Sequence, residues 1–408
     1  MAMLDNKKVV LGVTGGIAAY KAAYLARELM RHGATVGTIL TESATRFVAP
    51  LTFESLTEQP CRTDADMFGG VRGQTHVSLA RGLDLLVIAP CTATTLAALA
   101  TGSAGNMLTA TALAASCPVV VSPAMHTNMW LSPQVQRNVE IVSGFPGYVI
   151  VPPDEGDLAS GDTGPGRFPP LERIISYCIA ALTPQTLRGR TVVVTAGPTR
   201  EPIDPVRVIT NPSTGRMGVE LANAAARLGA SVRLILGPCE AGFDLLGPGG
   251  PHTITRVETT GDMLEAVRNA LPGSDALLMA AAPADERPVS RSNDKIGKDG
   301  FGRLLPIEPT PDILATLRQQ TRAMAVLAFA AETGVTAAAA TAKLERKGAD
   351  LLFANPVGGG RGFGNVPDGG ILVGVDSDSH RQIPPMTKDL LAALLLDEVS
   401  KVIAKKNG

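Results

Sequence analysis

Apolar residues in this chain are grouped in short runs, and the longer stretches between the runs alternate apolar and polar positions with the period of a helix. Near the start, residues 8–13 form such a run, residues 17–31 have the helical period, and residues 34–40 form a second run after Gly33. This order predicts a buried strand, a helix that ends at the glycine, and a parallel strand. The next elements predicted in this half are strands at 83–89 and 118–122, a surface loop or flap at 152–170, and a helix at 171–182.

The same pattern starts again after residue 190, which indicates a second domain. The joint Arg31-His-Gly-Ala-Thr-Val36 between helix and strand reappears as Arg227-Leu-Gly-Ala-Ser-Val232. Because strands alternate with helices in both halves, we predict two α/β domains, each with a doubly wound and mainly parallel sheet. The predicted boundaries are residues 1–183, a linker at 184–190, and residues 191–408. The elements predicted in the second domain are strands at 191–195, 231–236, 275–280, 325–329, 350–353 and 371–375, and helices at 217–227 and 389–403.

The composition favours small-molecule substrates. Of the 408 residues, 45% are apolar and 4% aromatic, and the formal net charge is -1. Such a chain has no bulk attraction for nucleic acid or an anionic membrane. No apolar run reaches the ~18 residues of a membrane helix, and the first residues lack the apolar core of a signal peptide. The five cysteines form no CxxC pair, so we expect neither a disulfide framework nor a zinc site. These features predict a cytoplasmic protein.

Two segments of the first domain follow predicted strands and have the composition of ligand sites. In Thr14-Gly-Gly-Ile-Ala-Ala-Tyr-Lys21, glycines at a helix start allow backbone N–H groups to approach an anion. The glycine spacing differs from GxGxxG, which favours a mononucleotide phosphate over a dinucleotide, although a tight turn without ligand is also open. The segment Pro123-Ala-Met-His-Thr-Asn-Met-Trp130 lies where open α/β sheets bind ligands, but its methionines also suit a core.

The second domain has two comparable segments. A glycine- and proline-rich stretch at 195–207 is followed by 210–218, which opens a helix with hydroxyls, glycine and arginine. These residue types suit a phosphate, although Ser213 or Thr214 is equally suited to an ordinary helix cap. Asp285 follows a predicted strand, and Lys295 comes shortly after it. A carboxylate and a lysine in this arrangement suit magnesium and phosphoryl charge, or they are simply solvated.

Taken together, these segments resemble a known family. Gly15-Gly-Ile-Ala-Ala-Tyr-Lys21, His76 within Gly73-Gln-Thr-His76, and the PAM…MW segment resemble the flavin-containing cysteine decarboxylases. TAGPTREPIDPVR at 195–207 with NPSTGRMG at 211–218 is similar to the phosphopantothenate–cysteine ligases. From about residue 7 to 400, the chain resembles the bifunctional phosphopantothenoylcysteine decarboxylase/phosphopantothenate–cysteine ligases of bacterial coenzyme A synthesis.

For the first domain the resemblance implies a flavodoxin-like fold that binds FMN and decarboxylates 4′-phosphopantothenoylcysteine to 4′-phosphopantetheine. His76 matches the position of the family's catalytic base, and the other catalytic candidates are His126, Asn128 and Ser160. The family's oligomers imply trimer contacts through this domain, with His76 acting across them, and dimer contacts through the second domain. The residues expected to bind FMN are Gly15, Gly16, Ile17, Ala18, Thr41, Thr92 and Met125.

For the second, Rossmann-like domain the resemblance implies CTP and Mg²⁺. The carboxylate of 4′-phosphopantothenate would attack the α-phosphate of CTP, and the amine of cysteine would then displace CMP from the acyl-cytidylate. Asn211 would hold this intermediate, Arg207 would assist its conversion, Lys295 would be catalytic, and Asp285 would bind the metal. The residues expected at the nucleotide are Met279, Ala280, Ala281, Asp285, Lys295, Thr310, Pro311, Asp312, Ile313, Phe329, Lys343 and Lys347.

Four positions depart from the family pattern. His126 stands where the family has a substrate-binding asparagine, and Ser160 replaces the flap cysteine that protonates the enethiolate. A hydroxyl is a far weaker acid than a thiol. Pro283 and Glu286 replace residues near the expected nucleotide pocket.

Several readings therefore remain open. The first domain decarboxylates with another proton source such as His126, stops at the oxidised thiol, or is a flavin-binding remnant beside an active ligase. A third hypothesis is a non-catalytic flavin-binding regulatory protein. It would give no role to Arg207, Asn211 and Lys295. A nicotinamide oxidoreductase ranks last, because neither strand–helix turn has the required glycine spacing.

Overall fold

The protein is described here from a computed structural model, which describes residues 3–68, 75–157, 161–239, 252–297, 304–358, 362, 364, 366–375 and 380–407. The chain divides into two compact units, Met1–Pro184 and Gln185–Gly408. None of the helices in these described ranges has the length and apolar character needed to span a bilayer.

The first unit is built on a parallel sheet. Its strands in the described ranges are β1 (Lys8–Val13), β2 (Thr35–Leu40), β3 (Cys61–Arg62), β4 (Leu85–Cys91), β5 (Val119–Pro123) and β6 (Tyr148–Ile150). They lie in the order β3-β2-β1-β4-β5-β6, and all neighbours are parallel. Without the short edge strand β3, this is the flavodoxin order. The predicted doubly wound, mainly parallel sheet is therefore confirmed.

Helices cover both faces of this sheet. They are α1 (Lys21–Arg31), α2 (Pro50–Thr57), α3 (Thr75–Ala80), α4 (Ala93–Thr101), α5 (Met107–Ala114), α6 (Thr127–Trp130), α7 (Pro133–Ser143) and α8 (Leu171–Leu182). Side chains of one strand alternate between the faces, so Val9 and Leu11 of β1 belong to the core under α1 and α8, whereas Val10 packs with α4 and α5. Burial on both faces explains why β4 has no exposed residue.

Two predicted elements of the first unit differ in detail. The helix expected at 17–31 starts as a 3₁₀ turn, Ile17–Tyr20, and α1 begins only at Lys21. The flap expected at 152–170 contains an antiparallel hairpin of β7 (Asp154–Asp157) and β8 (Thr163–Arg167). Its glycines hide the strand pattern, since Gly164 and Gly166 adopt φ values of +159° and +128°. Ser160 lies outside the described residues.

The second unit has a larger sheet with two small hairpins. Its strands in the described ranges are β9 (Thr191–Ala196), β10 (Arg200–Pro202), β11 (Val208–Thr210), β12 (Ser231–Leu236), β13 (Thr253–Arg256), β14 (Ala276–Met279), β15 (Glu286–Pro288), β16 (Ile307–Pro309), β17 (Ala325–Glu332), β18 (Leu351–Pro356), β19 (Asp368–Gly374) and β20 (Arg381–Met386). The main sheet has the order β13-β12-β9-β14-β17-β18-β19-β20. Its parallel part, β13 to β18, has the Rossmann order, and β19 and β20 are added in antiparallel fashion.

The helices of the second unit again form two layers. They are α9 (Arg216–Arg227), α10 (Thr260–Ala270), α11 (Ile313–Leu317), α12 (Ala337–Lys347) and α13 (Lys388–Asn407). The apolar faces of α9 and α13 share one core, and α10, α11 and α12 share the other. Gly218 lets α9 pack closely on β9, because a Cβ there would lie 2.5 Å from Cβ of Ala196. This packing sets the start of α9 at the end of β9.

Helix α10 begins with a reciprocal cap that gives a simple test of local stability. The backbone N–H of Asp262 donates to Oγ1 of Thr259 at 3.1 Å, and the N–H of Thr259 donates to the Asp262 carboxylate at 2.9 Å. We expect Thr259→Ala to reduce the stability of the second unit by about 1 kcal/mol in denaturant titrations. Thr341→Ala, at an exposed site within α12, is the control. Equal unfolding midpoints for the two variants would contradict the role of the cap.

The same cap predicts an acid dependence. The N–H of Thr259 holds the pKa of Asp262 below its ordinary value of 3.8. A lowered carboxyl pKa contributes stability above the ordinary value, and that contribution is lost as the pH falls through the lowered pKa. The stability difference between Asp262→Ala, which removes this carboxylate, and the control should therefore be full at neutral pH and shrink only in strong acid.

Candidate functional sites

The first unit has a cavity of about 600 Å³ at the carboxyl ends of its strands. It lies beside β1 and β4, where the strand order reverses and where doubly wound sheets bind ligands. The hydroxyl of Thr14 ties these ends together, since it donates to the carbonyl of Pro90 at 2.8 Å and accepts from the N–H of Thr92 at 2.9 Å. The predicted residues that line this cavity are Gly15, Gly16, Ile17, Ala18, Thr92, Met125 and His126.

Two cations that were not predicted to bind FMN also line this cavity. Lys21 comes from the first turn of α1, and Arg167 comes from the end of the flap hairpin. Burial, and then the charge of Arg167, lowers the pKa of Lys21. Its ammonium lies 5.9 Å from the ring centre of Phe168, within range of a cation–π contact. The cavity thus combines a glycine turn, apolar methionines and two positive charges, a set that suits a flat aromatic ligand with an anionic end.

His126 lines the cavity, and both of its ring nitrogens are engaged. Nδ1 accepts the N–H of Asn128 at 3.2 Å and so caps α6, and Nε2 lies 2.8 Å from the carboxylate of Asp162. A neutral ring with its proton on Nε2 satisfies both bonds. The histidine therefore links α6 to the residue that precedes β8, and neither nitrogen points to a ligand in this geometry. Asn128 itself is not among the residues that line the cavity.

Two other predicted residues of the first domain, Thr41 and His76, are not among the residues that line this cavity. Thr41 is buried at the end of β2, with its hydroxyl 3.2 Å from that of Ser43. His76 lies on α3, which packs against α5, and its Nδ1 is buried without a hydrogen bond among the described groups. Ser160 lies in a part of the chain that the structure does not describe, so its relation to the cavity is open.

The second unit has two adjoining cavities of about 280 and 180 Å³ at the carboxyl ends of β14 and β17. Both are lined by Ala281, Pro283, Asp285, Phe329 and Lys347, so they form one cleft, which we call the cleft of the second unit. It lies beside the reversal of strand order between β9 and β14. The other predicted residues that line it are Asn211, Met279, Ala280, Thr310, Pro311, Asp312, Ile313 and Lys343.

The start of α9 forms one wall of this cleft. Gly215 caps the helix with φ of +76°, a conformation that favours glycine, and Ser213 and Thr214 also line the cleft. In the same lining, Nδ2 of Asn211 donates to the carbonyl of Pro283 at 2.8 Å. Proline at position 283 does not disturb this contact, because proline lacks a backbone N–H but keeps the carbonyl that accepts the hydrogen bond. Helix N–H groups and an oriented amide are suited to an anionic ligand.

Arg207 and Lys295 are not among the residues that line this cleft. The Arg207 guanidinium instead donates to the Asp204 carboxylate at 3.0 Å and to the carbonyl of Ile296 at 3.2 Å. Asp204 also accepts the N–H groups of Val206 and Arg207 at 2.8 Å and that of Ile296 at 3.2 Å. Asn211 and Asp285 therefore line one cleft. Arg207 and Ile296, the residue after Lys295, instead contact Asp204.

The ionisation of Asp204 follows from these contacts. Burial raises its pKa, but the backbone N–H groups and the Arg207 guanidinium outweigh burial and leave the pKa below its ordinary value. The contribution of this carboxylate to stability is present above the ordinary value and is lost only as the pH falls through the lowered pKa. Asp204 is therefore charged at neutral pH and holds the turn at 204–207 to the segment at 292–297.

Sequence reasoning missed two polar residues of the cleft. Asp368 begins β19, and Lys388 begins α13. Asp368 and Lys388 are only 6% and 7% exposed. No local pattern marks them, since each becomes part of the cleft only when β19 and α13 pack beside the start of α9.

Comparisons with known proteins agree with two functional halves. The first half, residues 1–183, matches the family model described as "Flavoprotein". Residues 187–403 match the model described as "DNA/pantothenate metabolism flavoprotein C-terminal domain".

Curated relatives match along nearly the whole chain. The coenzyme A biosynthesis bifunctional protein CoaBC of Bacillus subtilis is 41% identical over 411 residues, which cover 100% of this chain and 99% of the relative. Among solved structures, the C-terminal domain of a CoaBC protein is 32% identical, covers 54% of this chain and 99% of that one, and has a TM-score of 0.45. The FMN-dependent cysteine decarboxylase SpaF is 35% identical, covers 44% and 99%, and has a TM-score of 0.39.

Proposed function

The chain belongs to the family of bifunctional coenzyme A biosynthesis proteins CoaBC, with a decarboxylase and a ligase role, and on this basis we propose the reaction of each unit. The second unit joins 4′-phosphopantothenate to cysteine at the expense of CTP. The first unit then decarboxylates 4′-phosphopantothenoylcysteine to 4′-phosphopantetheine with FMN. The observation that carries the ligase proposal is the single cleft that gathers Asn211, Asp285, Phe329, Lys343 and Lys347.

The residues of the first cavity fit FMN. Gly15 and Gly16 lie at a helix start, where backbone N–H groups suit the phosphate, and a Cβ on Gly16 would have no atom closer than 3.8 Å. Ile17, Met125 and Met129 supply apolar surface for a flat ring. When bound, FMN supplies the two-electron chemistry that lets the carboxylate leave. The flavoprotein family match and the FMN-dependent relative support this ligand.

The chain's own groups in this cavity bind and orient the substrate. Lys21 and Arg167 are positioned to hold anionic groups of substrate or cofactor. Because Nε2 of His126 faces Asp162, this geometry does not present a ring proton to the cavity. His126 thus remains a sequence-based candidate for the proton source, and it would have to break this contact to act. Asn128 and Ser160 also remain candidates.

In the ligase reaction, the carboxylate of 4′-phosphopantothenate attacks the α-phosphate of CTP and pyrophosphate leaves. The amine of cysteine then attacks the acyl carbon, CMP leaves, and the amine loses its proton. Asn211 would hold the acyl-cytidylate, and the ammonium groups of Lys343 and Lys347 would stabilise phosphoryl charge. Lys343 already pairs with Glu332, which orients it from α12 toward the cleft.

The Asp285 carboxylate fits a role at Mg²⁺. It is exposed and lines both parts of the cleft, and Mg²⁺ is usually bound by one or two carboxylates together with substrate phosphates. The described residues contain no cluster of three or more acidic, cysteine or histidine ligands, so the nucleotide would supply most of the oxygens. The metal would neutralise charge on the phosphates, and Asp285 would position it.

Oligomerisation is part of the proposal. His76 does not line the cavity of its own unit, so a base role for it requires a neighbouring copy of the chain. We infer trimer contacts through the first unit and dimer contacts through the second, in a cytoplasmic assembly. Cross-linking followed by mass measurement tests this arrangement, and a monomer that decarboxylates at full rate would contradict it.

The ligase-only reading, with a degenerate first domain, is not favoured, because the similarity to the Bacillus protein covers both halves of the chain. The deciding assay supplies 4′-phosphopantothenate, cysteine, CTP and Mg²⁺ and follows pyrophosphate and carbon dioxide separately. We expect a yellow protein that releases both products. Pyrophosphate without carbon dioxide would overturn the decarboxylase proposal, and the absence of both products would overturn both activities.

Asp204 offers a test of the cluster around Arg207. We expect Asp204→Asn to lower ligase kcat by up to about 100-fold, because a loosened turn misplaces Arg207 and the segment that carries Lys295. The flavin spectrum should not change. Asp294→Asn, at an exposed site on the same segment, is the control. Equal turnover in the two variants would show that this cluster does not support catalysis.

A further inference from the structure

Lys388 is a buried cation of the cleft with no direct partner in the part of the chain that the structure describes. It begins α13, is 7% exposed, and lines the cleft together with Arg216, Ser213 and Thr214. Among the described residues, no hydrogen bond or ion pair reaches its ammonium group. A buried charge without such a contact is costly, so its retention calls for a ligand or a nearby opposite charge.

Asp368 is the nearby opposite charge, but its carboxylate is engaged elsewhere. One oxygen accepts the N–H of Gly369 at 3.0 Å, and both accept Nδ2 of Asn355 at 3.3 and 3.4 Å. Burial lowers the pKa of Lys388, and Asp368 opposes this effect through space without forming an ion-pair contact. The ammonium is therefore electrostatically supported, and no described group uses its hydrogen-bonding capacity.

The other cations of the cleft differ from Lys388. Arg216 is held by Glu220 at 2.8 Å, and Lys343 is held by Glu332. Lys347 is only half-buried. Lys388 is thus the buried ammonium that remains available within the described lining of the cleft.

The start of α9 supplies the second half of an anion site. This helix has 12 residues, and its cap, Gly215, lies in the same lining as Lys388. Unpaired N–H groups of the first turn and the helix dipole favour negative charge there. An ammonium and a helix start that line one cleft can bind a group with several negative oxygens, such as a phosphate.

We propose that Lys388, with the start of α9, forms a phosphate-binding subsite of this cleft. The inference rests on the proposed ligase function for its choice of ligand, because both CTP and 4′-phosphopantothenate carry phosphate. Asp368 supplies opposite charge near the ammonium without an ion-pair contact and without contacting the ligand. The subsite takes either the leaving pyrophosphate of CTP or the terminal phosphate of the other substrate.

The test measures anion binding directly in the full chain. Isothermal titration with inorganic pyrophosphate and with inorganic phosphate is compared for the unaltered protein, Lys388→Met and Asp368→Asn. Loss of a charged hydrogen-bond donor should weaken binding of the fitting anion by about tenfold or more. Asp368→Asn keeps the ammonium and should bind that anion at least as well as the unaltered protein. Lys401→Met, an exposed site on α13, is the control and should match the unaltered protein.

Steady-state kinetics separate the two sources of phosphate. A rise of the KM for CTP in Lys388→Met assigns the subsite to the triphosphate. A loss of preference for 4′-phosphopantothenate over pantothenate assigns it to the terminal phosphate. Either result supports the subsite. If the unaltered protein releases no pyrophosphate, the ligase proposal is wrong. The anion titrations would still show whether Lys388 binds phosphate.

Two results would overturn the subsite itself. The first is unchanged anion binding together with unchanged KM values in a folded Lys388→Met variant. The double variant Lys388→Met/Asp368→Asn serves the same purpose if the single variant does not fold. The other is an equal loss of anion binding in Asp368→Asn, as expected if the two residues form only a structural pair. This second result decides the question even if both Lys388 variants fail to fold.

Discussion

Replacing Asn211 with alanine is expected to lower CTP-dependent ligation by about 100-fold or more, because the variant loses an oriented amide at the reacting group. The amide is oriented by its bond to the Pro283 carbonyl, which only Nδ2 can donate. This leaves the second Nδ2 proton and Oδ1 for a ligand in the cleft. Since the acyl-cytidylate presents an acyl phosphate group that neither free substrate has, the loss should fall mainly on kcat.

The measurement follows pyrophosphate and amide product with saturating CTP, cysteine and 4′-phosphopantothenate. Asn269→Ala, exposed on α10, is the matched control. Decarboxylation of supplied 4′-phosphopantothenoylcysteine should be the same in both variants, since the first unit has its own cavity. Ligation within about twofold of the control would remove Asn211 from the reaction.

The second large effect is expected at the flavin cavity, where two adjacent glycines should behave differently. A Cβ on Gly15 would lie 2.3 Å from Oγ of Ser43 and 2.7 Å from its carbonyl carbon, so the backbone after β2 has to move. Gly15→Ala should therefore destabilise the first unit by about 1–3 kcal/mol and yield protein with little flavin.

Gly16→Ala is the matched comparison. Its added Cβ would meet nothing closer than Cγ2 of Thr92 at 3.8 Å, so the protein itself should tolerate the change. If the turn cradles the flavin phosphate, this variant should unfold like the unaltered protein and bind FMN about tenfold more weakly. Flavin absorbance and thermal unfolding measure the two effects. Full flavin content in both variants would contradict a phosphate site at this turn.

Much of the cleft of the second unit could be predicted because its residues follow strands. Met279 ends β14, Ala280 and Asp285 follow it, and Phe329 lies in the second half of β17. In a parallel sheet, right-handed crossovers bring all such ends to one edge, so a local motif already implies its neighbours. The same argument accounts for Gly15, Thr92 and Met125 in the first unit.

Two of the predicted roles depend on the direction of a side chain, which the sequence does not specify. Arg207 lies in the right segment, but Asp204 and the carbonyl of Ile296 hold its guanidinium. His126 follows β5 as expected, but its ring is turned to Asp162, which lies 36 residues later in the flap. No periodicity specifies these hydrogen bonds, because they join elements that meet only after folding.

The sequence by itself determined two repeated strand–turn–helix patterns, their parallel sheets, and the glycine and hydroxyl turns at the strand ends, because these depend on local periodicity and backbone freedom. Only the tertiary structure decided that Lys388 and Asp368 complete a cleft begun by α9, and that Asp204 joins Arg207 to the segment at 292–297. The physical reason is that the charge environment of a buried group depends on residues far away in the chain, which packing alone brings within range.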